Sequence, residues 1–156
     1  MCLFIDKSIV PQVSKNKITG WKILVVSGDN KELLAPFSNQ FMYDYTYRFT
    51  YKWGVVYSGR QTVDVADIEK ELSEINQGIH VFLDKQEALN YMNMSMKTSG
   101  STLPLKNCVL VRVTGDVQDL VASGICHLYA QKSALKSAVF TKVHLSREEW
   151  RKARKG

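Results

Sequence analysis

Cysteines are few in this sequence, glycine loops are missing, and long apolar runs do not occur; each scarcity removes a class of protein. The 156 residues hold three cysteines, Cys2, Cys108 and Cys126. They form neither an even set nor a CxxC pair, so no disulfide framework is encoded. They read as reduced thiols, which points to a cytoplasmic setting. The apolar runs fall far short of the roughly 20 residues that cross a bilayer, and no membrane span is expected. Residues 1–7 carry a brief apolar patch without a basic leader or a small-residue cleavage site, so secretion is not expected either. Ser58-Gly59-Arg60 and Ser123-Gly124 are turn signals, and neither a GxGxxG nor a Walker pattern occurs. That disfavours an ATP-hydrolysing machine. No repeat, low-complexity tract or long Pro/Gly/Ser linker divides the chain, so residues 1–156 read as one domain.

What is present suits a real core: 45% of residues are apolar and 10% aromatic. The net charge of +6 is unevenly spread. Between Asp64 and Glu87, seven acids against Lys70 and Lys85 give −5, which leaves +11 on the rest. Residues 147–155 concentrate Arg147, Arg151, Lys152, Arg154 and Lys155. A basic surface with a local acidic stretch suits phosphate-bearing or acidic partners, and it also serves ordinary solubility.

Residues 1–20 read as an extended arm, because Pro11 and the polar run from Ser14 to Lys17 interrupt any period. Trp21 to Val26 then reads as a strand, closed by Ser27-Gly28-Asp29-Asn30. From Met42 to Trp53 the odd positions carry Tyr43, Tyr45, Tyr47, Phe49, Tyr51 and Trp53, which is the period of a strand. Gly54 to Ser58 continues it or returns beside it. Residues 67–76 space Ile68, Leu72 and Ile75 as a short acidic helix stopped by Gly78. Ile79 to Phe82 makes a strand, and Asp84 with Glu87 opens a second helix as a capping box. Residues 105–117, 125–129 and 138–145 supply further strands, and Ser146 with Glu149 opens a basic helix over 146–156. The expected fold is α+β: a twisted, mostly antiparallel sheet packed by two or three short helices.

The aromatic strand is the leading candidate site. Twelve residues at ~3.3 Å each exceed the core of a small domain, so some rings should lie near the surface. Core packing is the ordinary reading of such alternation; a protein-binding surface and a base-stacking site are the functional ones. Tyr45, Tyr47, Tyr51 and Trp53 would stack bases, while Arg48, Lys52 and Arg60 would contact phosphates if the strand turns at Gly54 and Gly59. His80 is added as an imidazole titrating near neutrality, although no partner for it is placed by sequence. Cys126 and His127 are adjacent, and neighbours on a strand point to opposite faces, so the histidines suggest no metal site. No cofactor is expected. An N-terminal nucleophile at Cys2 is disfavoured because Leu3 follows it rather than glycine.

The layout resembles a loose family of small bacteriophage accessory proteins. The resemblance lies in Met1-Cys2-Leu3-Phe4, Trp21-Lys22-Ile23-Leu24, Leu34-Ala35-Pro36-Phe37, Gly78-Ile79-His80-Val81-Phe82 before Glu87-Ala88, and Gly115-Asp116-Val117. It implies an accessory protein acting in a bacterial host cytoplasm, and it brings no catalytic residue. The expectation is therefore a non-enzymatic counter-defence protein that sequesters a nucleotide-like anion on an aromatic and basic surface. The alternative is a protein–protein inhibitor of a bacterial defence protein, anti-CRISPR-like or similar, docking on an acidic host partner. A small group-transfer enzyme acting on a dinucleotide ranks third. Direct nucleic-acid binding ranks behind a nucleotide ligand.

Overall fold

A ten-residue strand, β3 (Lys17–Val26), organises the sheet. Its N-terminal half alternates between exposed and buried residues, and from Ile23 onward it is buried on both faces. The second half therefore has cover on each side. The computed structural model describes residues 3–35, 50–57, 74–75, 78–95, 108–126 and 135–155. The other strands are β1 (Leu3–Ile5), β2 (Val13–Ser14), β4 (Leu33–Leu34), β5 (Thr50–Tyr51), β6 (Gly54–Tyr57), β7 (Glu74–Ile75), β8 (Ile79–Phe82), β9 (Cys108–Asp116), β10 (Leu120–Cys126), β11 (Leu135–Phe140) and β12 (Lys142–Leu145). Two helices, α1 (Lys85–Ser95) and α2 (Arg147–Arg154), complete the described elements.

The strand order is β6-β12-β9-β3-β8-β11-β10-β1-β7, with β2 and β4 on β3 and β5 on β4. Every pairing among the described strands is antiparallel. An open, mostly antiparallel sheet with helices is an α+β architecture. β3 and β9 form its longest ladder, from Lys17 opposite Asp116 to Val25 opposite Cys108.

Two hydrophobic layers flank this ladder. Ile18, Leu24 and Val26 of β3 meet Val111 and Val113 of β9, Val81 of β8, Phe140 of β11 and Leu145 of β12 in the main core. On the other face Ile23, Phe82, Cys126 and Leu135 lie with Ala88 of α1, packed by Tyr91 and Met92. The helix α1 starts where Asp84 Oδ1 accepts from the Glu87 amide at 2.8 Å, satisfying one of the free donors of the first turn. Its Glu87 side chain accepts from the Lys136 amide at 3.3 Å.

The chain passes from β11 to β12 through one residue, Thr141, whose amide donates to Asp119 O at 3.0 Å. That stretch lies between β8 and β10 on one side of Thr141, and between β9 and β6 on the other. Strands that change neighbours at such a bend make the corners of packed sheets. Gly115 makes room for the corner, because a Cβ there would stand only 2.3 Å from Phe140 Cε1.

Two expectations are corrected. The N-terminal arm is built into the sheet: β1 lies between β10 and β7, with Leu3 fully buried. β2 and β3 form a hairpin whose turn residues Lys15 and Asn16 take φ of 51° and 61°. At the end of the predicted acidic helix, Glu74–Ile75 pair with Phe4 and Leu3 as a strand, so pairing overrides the helical spacing there. The rest of that helix, apart from these two residues, and positions 42–49 of the aromatic strand lie outside the described residues. No described helix is long and apolar enough to cross a membrane.

Candidate functional site

The geometry centres on the corner where β6, β12 and α2 meet. Gly54, at φ 106°, takes a conformation that costs an L-residue with a Cβ about 1–2 kcal/mol, and so turns the chain out of β5 into β6. β6 then runs against β12 with Gly54 opposite Leu145, Val55 opposite His144 and Tyr57 opposite Lys142. This register sets Trp53, which precedes β6, beside the start of α2, which follows β12. The Arg147 guanidinium lies over the Trp53 ring, 5.6 Å from its centroid. Trp53 is 52% exposed, Val55 53% and Tyr57 63%. Three large side chains at alternate positions therefore face solvent beside Lys142, His144 and Arg147.

One side of α2 anchors it and the other is displayed. Ser146 caps the helix, its Oγ accepting from the Glu149 amide at 3.1 Å. Trp150 and Ala153 pack on the main core. The Arg154 guanidinium stacks 4.1 Å from the Trp150 centroid while its Nε donates to Asn30 O at 3.0 Å. Glu149 lies 3.7 Å from Arg112. The opposite side carries Arg147, Arg151 and Lys155 at intervals of four residues, all exposed. An open groove of about 530 Å³ runs along it, lined among the described residues by these three with Glu148 and Lys152. Glu148 and Glu149 in the first turn and Arg151, Lys152 and Arg154 in the last agree with the helix dipole. The cationic side is thus compatible with a stable helix.

The predicted site residues divide. Lys52 and Trp53 are exposed, and Trp53 joins the corner through Arg147. Tyr51 does not: at 3% exposure it belongs to the main core, across the sheet from Leu33. His80 is 5% exposed within β8, so the structure takes it, like Tyr51, away from any shared surface with Trp53. The physical reason is the bend at Lys52–Trp53, which breaks the period that put Tyr51 and Trp53 on one face. Tyr45, Tyr47, Arg48 and Arg60 lie outside the described residues.

Sequence reasoning missed Lys22. Alternation along β3 turns it toward the core side that holds Ile18 and Leu24. Its Nζ donates to His80 O at 2.7 Å and lies 5.7 Å from the centroid of the Tyr51 ring. Part of the residue remains accessible, yet the ammonium itself is enclosed, and burial pulls its pKa down to about 8 against a weaker opposing effect of Cys126. Burial also pushes the Tyr51 phenol up. The one available signal was a lysine at an inward position of an apolar strand.

Burial likewise raises the Cys108 thiol, which makes it a poorer nucleophile. Among the described residues no group of three or more His, Cys, Asp or Glu is placed to hold a metal ion. Compared with known proteins, the chain matches no family model, no curated protein and no solved structure.

Proposed function

We propose that this chain is a binding protein that holds a nucleotide-like anion at the corner of β6, β12 and α2, in the counter-defence setting of a bacterial cytoplasm that its resemblance to phage accessory proteins implies. The observation that carries the reading is the Trp53–Arg147 pair, a half-exposed indole with a guanidinium over it, at the head of a displayed basic row. An indole offers a face on which a base stacks, and a guanidinium gives a planar set of donors to phosphate. Neither group is needed to close the core, so a ligand can take both. The protein purified from a bacterial host is expected to release a species absorbing near 260 nm on denaturation, or to bind added nucleotides. Trp53→Ala is expected to weaken that binding by ~1–3 kcal/mol. A protein that stays clean and ignores a panel of mono- and dinucleotides at millimolar concentration would sink the reading.

A second reading rests on β6 itself. It ends the order of the described strands and exposes Val55 and Tyr57. That suits protein–protein inhibition, in which an acidic host protein covers this edge. Pull-down of one polypeptide in a salt-sensitive complex, with no small ligand, would favour it.

A further inference from the structure

Resting on the reading above, we infer that the ligand at this corner is a single-stranded oligonucleotide rather than an isolated nucleotide. A mononucleotide offers one base and one cluster of phosphate charge. The surface offers more than it needs. Arg147, Arg151 and Lys155 recur every four residues, which is ~6 Å of helix rise per step. That spacing is of the order of the distance between successive phosphates in an extended strand. The row begins under Trp53, so a base on the indole places its own phosphate at Arg147 and the following ones at Arg151 and Lys155. On the other side of Trp53, the register continues the pattern with Tyr57 beside Lys142 and Val55 beside His144. Tyr57 is thus a second exposed ring with a cation next to it. The alternation of rings and cations, on an open surface, is the composition of single-strand sites, where stacking tolerates any base and cations follow the backbone.

The openness argues the same way. A nucleotide is usually sequestered in an enclosed pocket that buries most of its surface. The groove on α2 is open and has one carboxylate, Glu148, among its described lining residues. Duplex fits less well, because paired bases do not present a face to Trp53.

The test uses the full chain and fluorescently labelled oligothymidylates of 1 to 12 nucleotides. Their affinities are compared with those for thymidine monophosphate, a 12-base-pair duplex and poly-glutamate. Affinity is expected to climb at least tenfold from the mononucleotide to about four nucleotides and then to level off. With three phosphate contacts on a single strand, raising salt from 50 to 200 mM should weaken binding roughly 20-fold. Trp53→Ala should lose roughly 5- to 150-fold, and Arg151→Ala should flatten the salt dependence. Both side chains are exposed, and an unchanged thermal midpoint verifies the fold. Equal affinity for the mononucleotide and the oligomers would overturn the inference while leaving the nucleotide reading intact. Poly-glutamate or duplex binding as tightly as the 12-mer, with Trp53→Ala silent, would overturn it in favour of a surface that reads charge alone. No binding of any nucleotide or oligomer would end both readings.

Discussion

Two cation–ring pairs in this chain have rings only two residues apart, Tyr51 and Trp53, and they have opposite fates. Lys22 stands 5.7 Å from the Tyr51 centroid inside the sheet, and Arg147 stands 5.6 Å from the Trp53 centroid at its rim. The chemistry of the two pairs is similar. Their surroundings are not. Inside, the cation has lost water, its pKa has fallen, and its ammonium is held by a backbone carbonyl. At the rim, about half of the indole is exposed, and Arg147 is exposed with it. The inner pair is committed to the fold, whereas the outer one is free to exchange water for a ligand. Residue type alone did not decide this; a single turn at Gly54 did.

The contrast breaks most visibly at the rings. Tyr51→Ala removes an aromatic from the core and is expected to cost about 3–5 kcal/mol in urea unfolding. If it costs under 1 kcal/mol, the inner pair is not structural. The charge on Lys22 gives the next largest effect. Its folded pKa of about 8 lies below the ordinary 10.5, so the unfolded chain binds more protons between these values. Stability should rise by about 1–2 kcal/mol from pH 7.5 to pH 9.5. Above pH 10 the raised Tyr51 pKa works the other way, since the unfolded phenol ionises while the folded one does not. Lys22→Met should be at least as stable as the parent at neutral pH and should remove this pH-dependent rise; an unchanged slope would show that other groups produce it.

Smaller effects sharpen the outer half of the comparison. Ser146→Ala removes the cap of α2 and is expected to cost ~1 kcal/mol, read by urea unfolding. It should also weaken ligand binding, because Arg147 is the first residue of that helix. Trp53→Ala should change stability least, within about 0.5 kcal/mol by thermal melting. A larger loss would mean that the indole holds the corner together and is not available to a ligand.

Signals confined to a few neighbouring residues were legible in the sequence. The caps at Asp84 and Ser146, the strand at Ile79–Phe82 and the strand that becomes β9 follow from patterns within about a turn or a pleat. What depended on distant partners was not. Leu3 reads as the start of an arm until Cys126 and Ile75 pair with it. The β2–β3 turn hides because Lys15 and Asn16, rather than glycine, take the positive φ. The period through Tyr51 and Trp53 gave no warning of the bend between them. At the site, Trp53 was identified, but its neighbour Arg147 is some 95 positions away in sequence, and no local pattern links the two. Lys22 was passed over because its strand was read from its apolar members.

The pairing of β1 has a consequence for the order in which the chain matures. Leu3 lies opposite Cys126, so β1 cannot dock on β10 until more than 120 residues have been made. Loop closure over that length comes before any reward from the contact, and sheets dominated by such contacts fold in milliseconds to seconds. The β3–β9 ladder needs nothing beyond Asp116 and can form first, leaving Leu3 and the face it covers beside Val139 to be sealed later. Newly made copies would therefore pass through a stage with an open apolar seam at β10, the stage at which this protein would be most exposed to proteases and to sticking to its own kind.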